Sequence, residues 1–197
     1  MTGNTLNMHY TIADPKTFGI SEYEPVLPIY HSDQPEDSKE HCSDLLHRLD
    51  RIDPDRLSPE NAYTYRLLHR SLENDLALAD FPYYNEPLSP SSGMQSQLPV
   101  LLAEYTFRTK RDVTDYLALL DQIDDYFASL LLYEQEKAAA GFFMPACSSE
   151  KVRKQCDTIV TTEELAQGTH FLQTTFEDRL SELQKQGLFT PKETASL

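Results

Sequence analysis

The sequence predicts an all-α protein: an irregular array of helices with a long central spine helix, preceded by an extended N-terminal segment. Three observations carry this. Beyond about residue 36, apolar residues recur at steps of three and four, the period of a helix with one buried face. Capping signals, a hydroxyl or a proline followed within a turn by a carboxylate, head several of these stretches. No hairpin signal pairs any two runs as strands. The expected organisation is a single helical region, 1–197, with residues 1–35 extended and residues 36–197 helical.

Residues 1–35 show little helical period and are punctuated by Pro15, Gly19, Pro25 and Pro28. Apolar residues such as Ile12, Tyr23, Leu27 and Tyr30 are expected to anchor this segment on the helical body. The first helix is predicted from about Glu36 to Ile52, its stripe formed by Cys42, Leu45, Leu46, Leu49 and Ile52; Asp53-Pro54 ends it. Ser58 caps a second helix, with Pro59 at the first position, where a missing N–H costs nothing. Ala62, Tyr65, Leu68, Leu72, Leu76 and Ala79 form its stripe. A short helix is predicted from about Leu98 to Tyr105.

Thr109-Lys-Arg-Asp112 has the form of a capping box. It opens the expected spine, which runs to about Ala140 before Gly141 and Pro145. At 1.5 Å per residue the spine would be about 45 Å long. Its predicted inward residues are Val113, Tyr116, Leu117, Leu120, Ile123, Phe127, Leu130 and Leu131. Ser148 or Ser149 caps the next helix, with Val152, Cys156, Ile159 and Val160 inward. Thr161 to Glu164 forms another capping box. The last full helix is predicted from about Thr169 to Gln186, stopped by Gly187. Thr190-Pro-Lys-Glu193 again opens a helix, so a further element is expected, and Leu197 is not expected to be the natural end of a domain.

With 197 residues and 40% hydrophobic composition, the chain has enough apolar surface for a real core. A net charge of −15 opposes binding to nucleic acid or anionic membrane, because the mean field repels phosphate. Cys42, Cys147 and Cys156 are odd in number and contain no Cys-x-x-Cys, so reduced, mostly buried thiols are expected. The first residues lack the basic and apolar regions of a signal peptide. No apolar run approaches the ~20 residues of a membrane helix. The chain as written is expected to be cytoplasmic.

The residues that do chemistry form no specific constellation. No two of the six histidines stand at i, i+4, so the zinc-helix pattern His-Glu-x-x-His is absent. His69 and Glu73 share a helix face, a spacing that usually makes a weak surface pair. Asp121 and Asp125 share another, more simply explained as a solvated acidic face. No nucleophile elbow, P-loop or dinucleotide-binding glycine pattern appears. No catalytic residue and no metal ligand is assigned.

The unusual stretch is Phe81 to Tyr105, FPYYNEPLSPSSGMQSQLPVLLAEY. Pro82, Pro87, Pro90 and Gly93 forbid a regular helix until about Leu98. A loop this long inside a helical chain is either functional or a stiff connector. Tyr83 and Tyr84 offer flat contacts, and Gln95 and Gln97 both donate and accept hydrogen bonds. These four are the candidate substrate-binding residues. The alternative is that the two amides only cap the helix that follows.

Several segments together resemble one bacterial family, catalogued as domain of unknown function 885. They are LNMHYTIADPKTFGI (Leu6 to Ile20), YNEPLSPSSGMQSQLPVLLAEYTF (Tyr84 to Phe107), DVTDYLALLDQIDDYF (Asp112 to Phe127) and EQEKAAAGFFMP (Glu134 to Pro145). The resemblance implies the early helical part of a zinc-dependent peptidase, with the chain as one wall of a substrate cleft and a peptide as the substrate of the full-length protein. Longer members carry a histidine-glutamate helix motif in their later part and are often exported or lipid-anchored. Nothing in this sequence matches that motif, so no metal ligand carries over and no cofactor is expected in this chain. Zinc is implied only for the full-length family. The competing expectation is a non-enzymatic helical interaction module. Exposed apolar faces would favour self-association in the first case, and a monodisperse, cooperatively melting protein is expected in the second.

Overall fold

The helical period and the caps produce helices over most of the chain. A computed structural model describes residues 3–30, 34–190 and 193. The α-helices are α1 (Thr5–Thr11), α2 (Gln34–Leu49), α3 (Pro59–Leu78), α4 (Met94–Glu104), α5 (Lys110–Leu120), α6 (Ile123–Ala139), α7 (Ala146–Ile159), α8 (Thr162–Gln167) and α9 (Phe171–Lys185). Among the described residues there is no strand, so the fold is all-α.

The chain divides into two units. The first takes in residues up to Tyr30, Glu86–Leu132 and Phe143 onward; the second takes in His31–Asn85 and Tyr133–Phe142. In the first unit α4 packs against α7 and α9. Its core joins Leu27, Leu98, Leu102, Tyr105, Val113, Tyr116, Leu119, Tyr126, Leu180 and Leu183. Aromatic rings fill its centre: Tyr116 stacks on Phe176 with centroids 5.6 Å apart, and Arg179 lies over Phe107 and Tyr116 at 4.7 and 4.9 Å. Arg179 also donates to the Leu102 and Tyr105 carbonyls at the C-terminus of α4, where helical pairing runs out. In the second unit α2 packs along α3.

Three predicted caps form on described helices, while the expected Ser148 or Ser149 cap does not: α7 starts earlier, at Ala146, with Pro145 before it and no side-chain cap. Ser58 accepts from the Asn61 N–H, and Thr109 and Asp112 form a complete capping box. Thr161 accepts from the Glu164 N–H and bonds its carboxylate at 2.6 Å. Thr190 and Glu193 bond reciprocally in the same way. Residues 194–197, where any helix opened by that cap would run, lie outside the described residues. α9 stops at Gly187, whose φ of +75° suits glycine because a Cβ strains a left-handed backbone.

Four expectations are corrected. First, the N-terminal segment is not extended throughout. Asn4 accepts from the Asn7 N–H and opens α1, and Pro15–Phe18 forms a single 3-10 turn. The stretch without helix or turn is Ile20 to Tyr30, and it runs extended at Pro25–Leu27, where Pro25 and Leu27 bond to one side and Val26 to the other. Second, the spine is two helices. A turn at Asp121–Gln122 separates α5 from α6 and resets the helical phase, so Tyr126, Leu130 and Tyr133 face inward and Leu131 is exposed. Third, α4 begins at Met94, four residues early, with Pro99 inside it. Fourth, Cys156 on α7 and Val160 just after it are exposed, and of the three free thiols only Cys42 is buried. Within the first unit, α7 buries Val152 and half-buries Gln155 instead.

His170 joins two helices. Its ring is buried and caps α9: Nε2 lies 2.9 Å from the Ile159 carbonyl at the end of α7, and Nδ1 accepts from the Leu172 N–H at 3.3 Å. A carbonyl can only accept and an N–H can only donate, so the ring is neutral with its proton on Nε2.

Candidate functional site

The candidate stretch is divided between the units, and each part is held by its main chain. In the second unit, Phe81–Asn85 leaves α3 through a turn closed by the Tyr84 N–H on the Phe81 carbonyl, 3.1 Å. The Tyr133 hydroxyl donates to the Pro82 carbonyl at 2.8 Å, and Lys137 Nζ donates to the Asn85 carbonyl at 2.9 Å. Tyr83 is half-buried, its ring 6.0 Å from Tyr133 and 6.3 Å from Phe142. Tyr84 is 79% exposed.

In the first unit the loop folds back on α4. Gly93 N–H donates to the Ser89 carbonyl at 3.0 Å, and Met94 N–H donates to the Pro87 carbonyl at 2.8 Å. Gln95 is buried. Its Nε2 donates to the Ser89 carbonyl (2.7 Å) and to Gln155 Oε1 (2.9 Å), and Gln155 Nε2 donates to the Pro90 carbonyl (2.9 Å). Gln95 Oε1 has no hydrogen-bond partner among the described residues and lies against Gly93. A Cβ at Gly93 would sit 2.0 Å from that oxygen and 2.2 Å from the Ser89 nitrogen, so the approach is open to glycine alone. Gln97, two residues along α4, is exposed. Gln95 and Tyr83 hold the loop, therefore, while Tyr84 and Gln97 face solvent on separate units.

A second polar cluster, around His9, carries no signal in the histidine spacing. His9 is buried and stacked on Tyr105, with centroids 3.7 Å apart and planes 10° from parallel. Its Nε2 accepts from the Thr106 N–H at 3.3 Å, which places the ring proton on Nδ1, 3.8 Å from Asp112 Oδ1; Arg108 Nη1 lies 3.4 Å from Nε2. Burial lowers the His9 pKa, Asp112 opposes that shift, and Arg108 adds to it. Burial also raises the Tyr105 phenol. Nearby, buried Asp115 accepts from the Tyr23 hydroxyl at 2.8 Å and lies 3.4 Å from Arg111 Nε. Burial first, then Asp115, pushes the Tyr23 phenol up to about 12. With its lone pair spent on a backbone N–H, the His9 imidazole is a structural acceptor.

Among the described residues no three His, Cys, Asp or Glu side chains converge on a point that could hold a metal ion. His69 pairs with Glu73 through Nδ1 (3.5 Å) and with Asp50 through Nε2 (3.2 Å). These carboxylates take opposite nitrogens of one ring and share no common point. Among the described residues, therefore, none assemble a donor set for the zinc that the resemblance implies for longer members. Among the described residues no helix is long and apolar enough to cross a membrane.

Fold and site together define the class: an all-α protein whose buried polar side chains hold loops through their main chain, with no assembled metal cluster among the described residues. Within that class, the chain belongs to a family of bacterial proteins of unknown function, DUF885, whose sequence model matches residues 16–195. No curated protein and no solved structure matches the chain.

Proposed function

We propose that this chain is the helical N-terminal portion of a peptidase-like protein, that it forms a wall of the substrate cleft, and that it is inactive alone. The observation that supports this most is the two-sided construction of α4. Gln95, Leu98, Pro99 and Leu102 are buried, so one face is fixed. Gln97, Val100 and Glu104, at steps of three and four, leave the opposite face open. The Gln97 carboxamide both donates and accepts, as a peptide main chain requires of its partner. On the second unit, Tyr84 offers a flat apolar contact. Tyr83 and Gln95 serve the reading by holding their parts of the loop. Peptide hydrolysis also needs an activated water and a general base, and none of these four residues supplies either.

The test has two arms. The chain alone is expected to show no peptide turnover with added zinc; turnover that a chelator abolishes would refute its inactivity. In a longer family member, alanine at the positions matching Gln97 and Tyr84 is expected to raise KM several-fold with an unchanged melting temperature. A lower melting temperature with unchanged KM would refute the wall.

One observation favours a second reading, a non-enzymatic interaction module. α3 leaves Tyr63, Leu67 and Leu78 more than half exposed, an apolar surface of the kind partners cover. Light scattering during a thermal melt separates the readings. A monodisperse, cooperative transition supports the module, and concentration-dependent self-association supports a portion with uncovered faces.

A further inference from the structure

We infer that the first unit contains a groove that binds an extended peptide through its main chain, and that residues 20–30 occupy it as a tethered strap. The inference concerns a different surface from α4 and does not rest on the peptidase reading.

The strap's backbone groups are the reason. An extended segment in an all-α unit has no strand to pair with, yet its N–H and C=O groups must find partners where they leave water. Here side chains from three helices supply them. Gln122, in the turn between α5 and α6, reads one edge. Its Nε2 donates to the Pro25 carbonyl at 2.9 Å while its Oε1 accepts from the Leu27 N–H at 3.0 Å. One carboxamide thus reads a carbonyl and the N–H two residues on, as a neighbouring β-strand would. Thr5 on α1 reads the other edge. Its N–H donates to the Val26 carbonyl (2.9 Å), its hydroxyl accepts from the Val26 N–H (2.8 Å), and it donates to the Glu24 carbonyl (3.3 Å). Arg111 on α5 donates to the Tyr23 carbonyl at 2.7 Å, and Ser129 on α6 accepts from the Tyr30 N–H at 3.2 Å.

All of these contacts are to main chain, so they carry no information about side-chain identity. Specificity rests on two positions four apart. Leu27 is the one strap residue that is fully buried, at 4% exposure. Tyr23 lies under the Arg111 guanidinium at 4.0 Å and donates to Asp115. Pro25 and Pro28 lack an N–H to satisfy and bias the residues before them toward extended backbone, which lowers the entropy cost of docking. The ligand class follows: an extended peptide with an aromatic residue, then an apolar residue four positions later, and proline tolerated between. Besides these hydrogen bonds, each worth about 1 kcal/mol net, the strap is held by buried Leu27, by Tyr23 and by Tyr30 against Tyr126, fewer apolar contacts than the core helices make. It therefore opens more easily than the helices beneath it.

The probe is a fluorescein-labelled peptide of residues 20–30, ISEYEPVLPIY, titrated by anisotropy into the full chain. In wild type the strap competes at an effective concentration of the order of millimolar, so binding is weak. Leu27→Ser weakens the strap's anchor. It is expected to bind the peptide saturably and at least tenfold more tightly than wild type, and a further Gln122→Ala is expected to remove at least tenfold of that affinity. A folded Leu27→Ser chain that shows no saturable binding up to about 1 mM, or equal binding with and without Gln122, overturns the inference. If Leu27→Ser does not fold, hydrogen exchange of wild type decides. Exchange of the Val26, Leu27 and Tyr30 amides at least tenfold faster than that of Leu119 supports a strap that lifts, and equal rates overturn it.

Discussion

Gly93→Ala tests whether the loop before α4 is held as tightly as its hydrogen bonds imply. The backbone there is ordinary, with φ −73° and ψ 152°, so alanine meets no torsional penalty. Reduced freedom of the unfolded chain should even favour it by about 0.4–1 kcal/mol. Space decides the sign. The new Cβ would lie 2.2 Å from the Ser89 nitrogen and 2.6 Å from the Ser89 oxygen, atoms that cannot rotate away as a side-chain end can. Overpacking of this kind costs about 1–3 kcal/mol. Moving Ser89 also strains the bonds from the Gly93 N–H to the Ser89 carbonyl and from the Met94 N–H to the Pro87 carbonyl, each worth about 1 kcal/mol. The net expectation is a loss of about 2–4 kcal/mol, or a fall in melting temperature of roughly 4–16 °C for a chain of this size. Urea and thermal melts followed by circular dichroism measure it. An alanine variant that melts at or above wild type would show that the loop is slack and cannot fix a wall on α4.

Two further outcomes follow from the polar clusters. A base whose folded pKa is depressed is stabilised as the neutral form. Above His9's unperturbed value of 6.5 its contribution is complete; as pH falls below 6.5 the unfolded chain takes the proton first and stability is lost until the folded ring titrates. His9→Gln keeps an acceptor for the Thr106 N–H without a titrating ring, so its melting temperature should fall less than wild type's between about pH 7 and pH 5, and parallel profiles would contradict the burial of His9. At the head of α5, Asp112 Oδ2 accepts from the Arg108 N–H (2.9 Å), the Thr109 N–H (2.7 Å) and the Thr109 hydroxyl (3.0 Å). Asp112→Ala should therefore cost about 2 kcal/mol against about 1 for Thr109→Ala; the reverse order in urea melts would refute the division of labour in this cap.

The helices were legible where a local rule and a tertiary demand agree. Thr109 and Asp112, Ser58 and Pro59, and the apolar steps of α9 each state their element within one or two turns of chain. α1 was illegible because its seven residues are too few for a period to show. The break at Asp121–Gln122 was illegible for a different reason. Neither proline nor glycine marks it, and Gln122 spends its side chain on a segment about 95 residues away in sequence. The candidate loop shows the same division. Its prolines announce an irregular path, but Gln95 and Gln97 look alike as residue types. Only the partner Gln155, 60 positions on, decides that one is buried and the other open. The His9 cluster is likewise assembled from α1 and the start of α5, about 100 residues apart in sequence, beyond the reach of any spacing rule.

The His170 ring has a consequence for how this part of the chain can change. It fixes the end of α7 to the start of α9 through its two nitrogens, without using the peptide path between them. α8 and its flanking turns, residues 160–169, are bypassed by that link. An insertion in α8 is therefore expected to leave the α7–α9 junction to the imidazole, and His170→Ala to hand it back to the connecting chain.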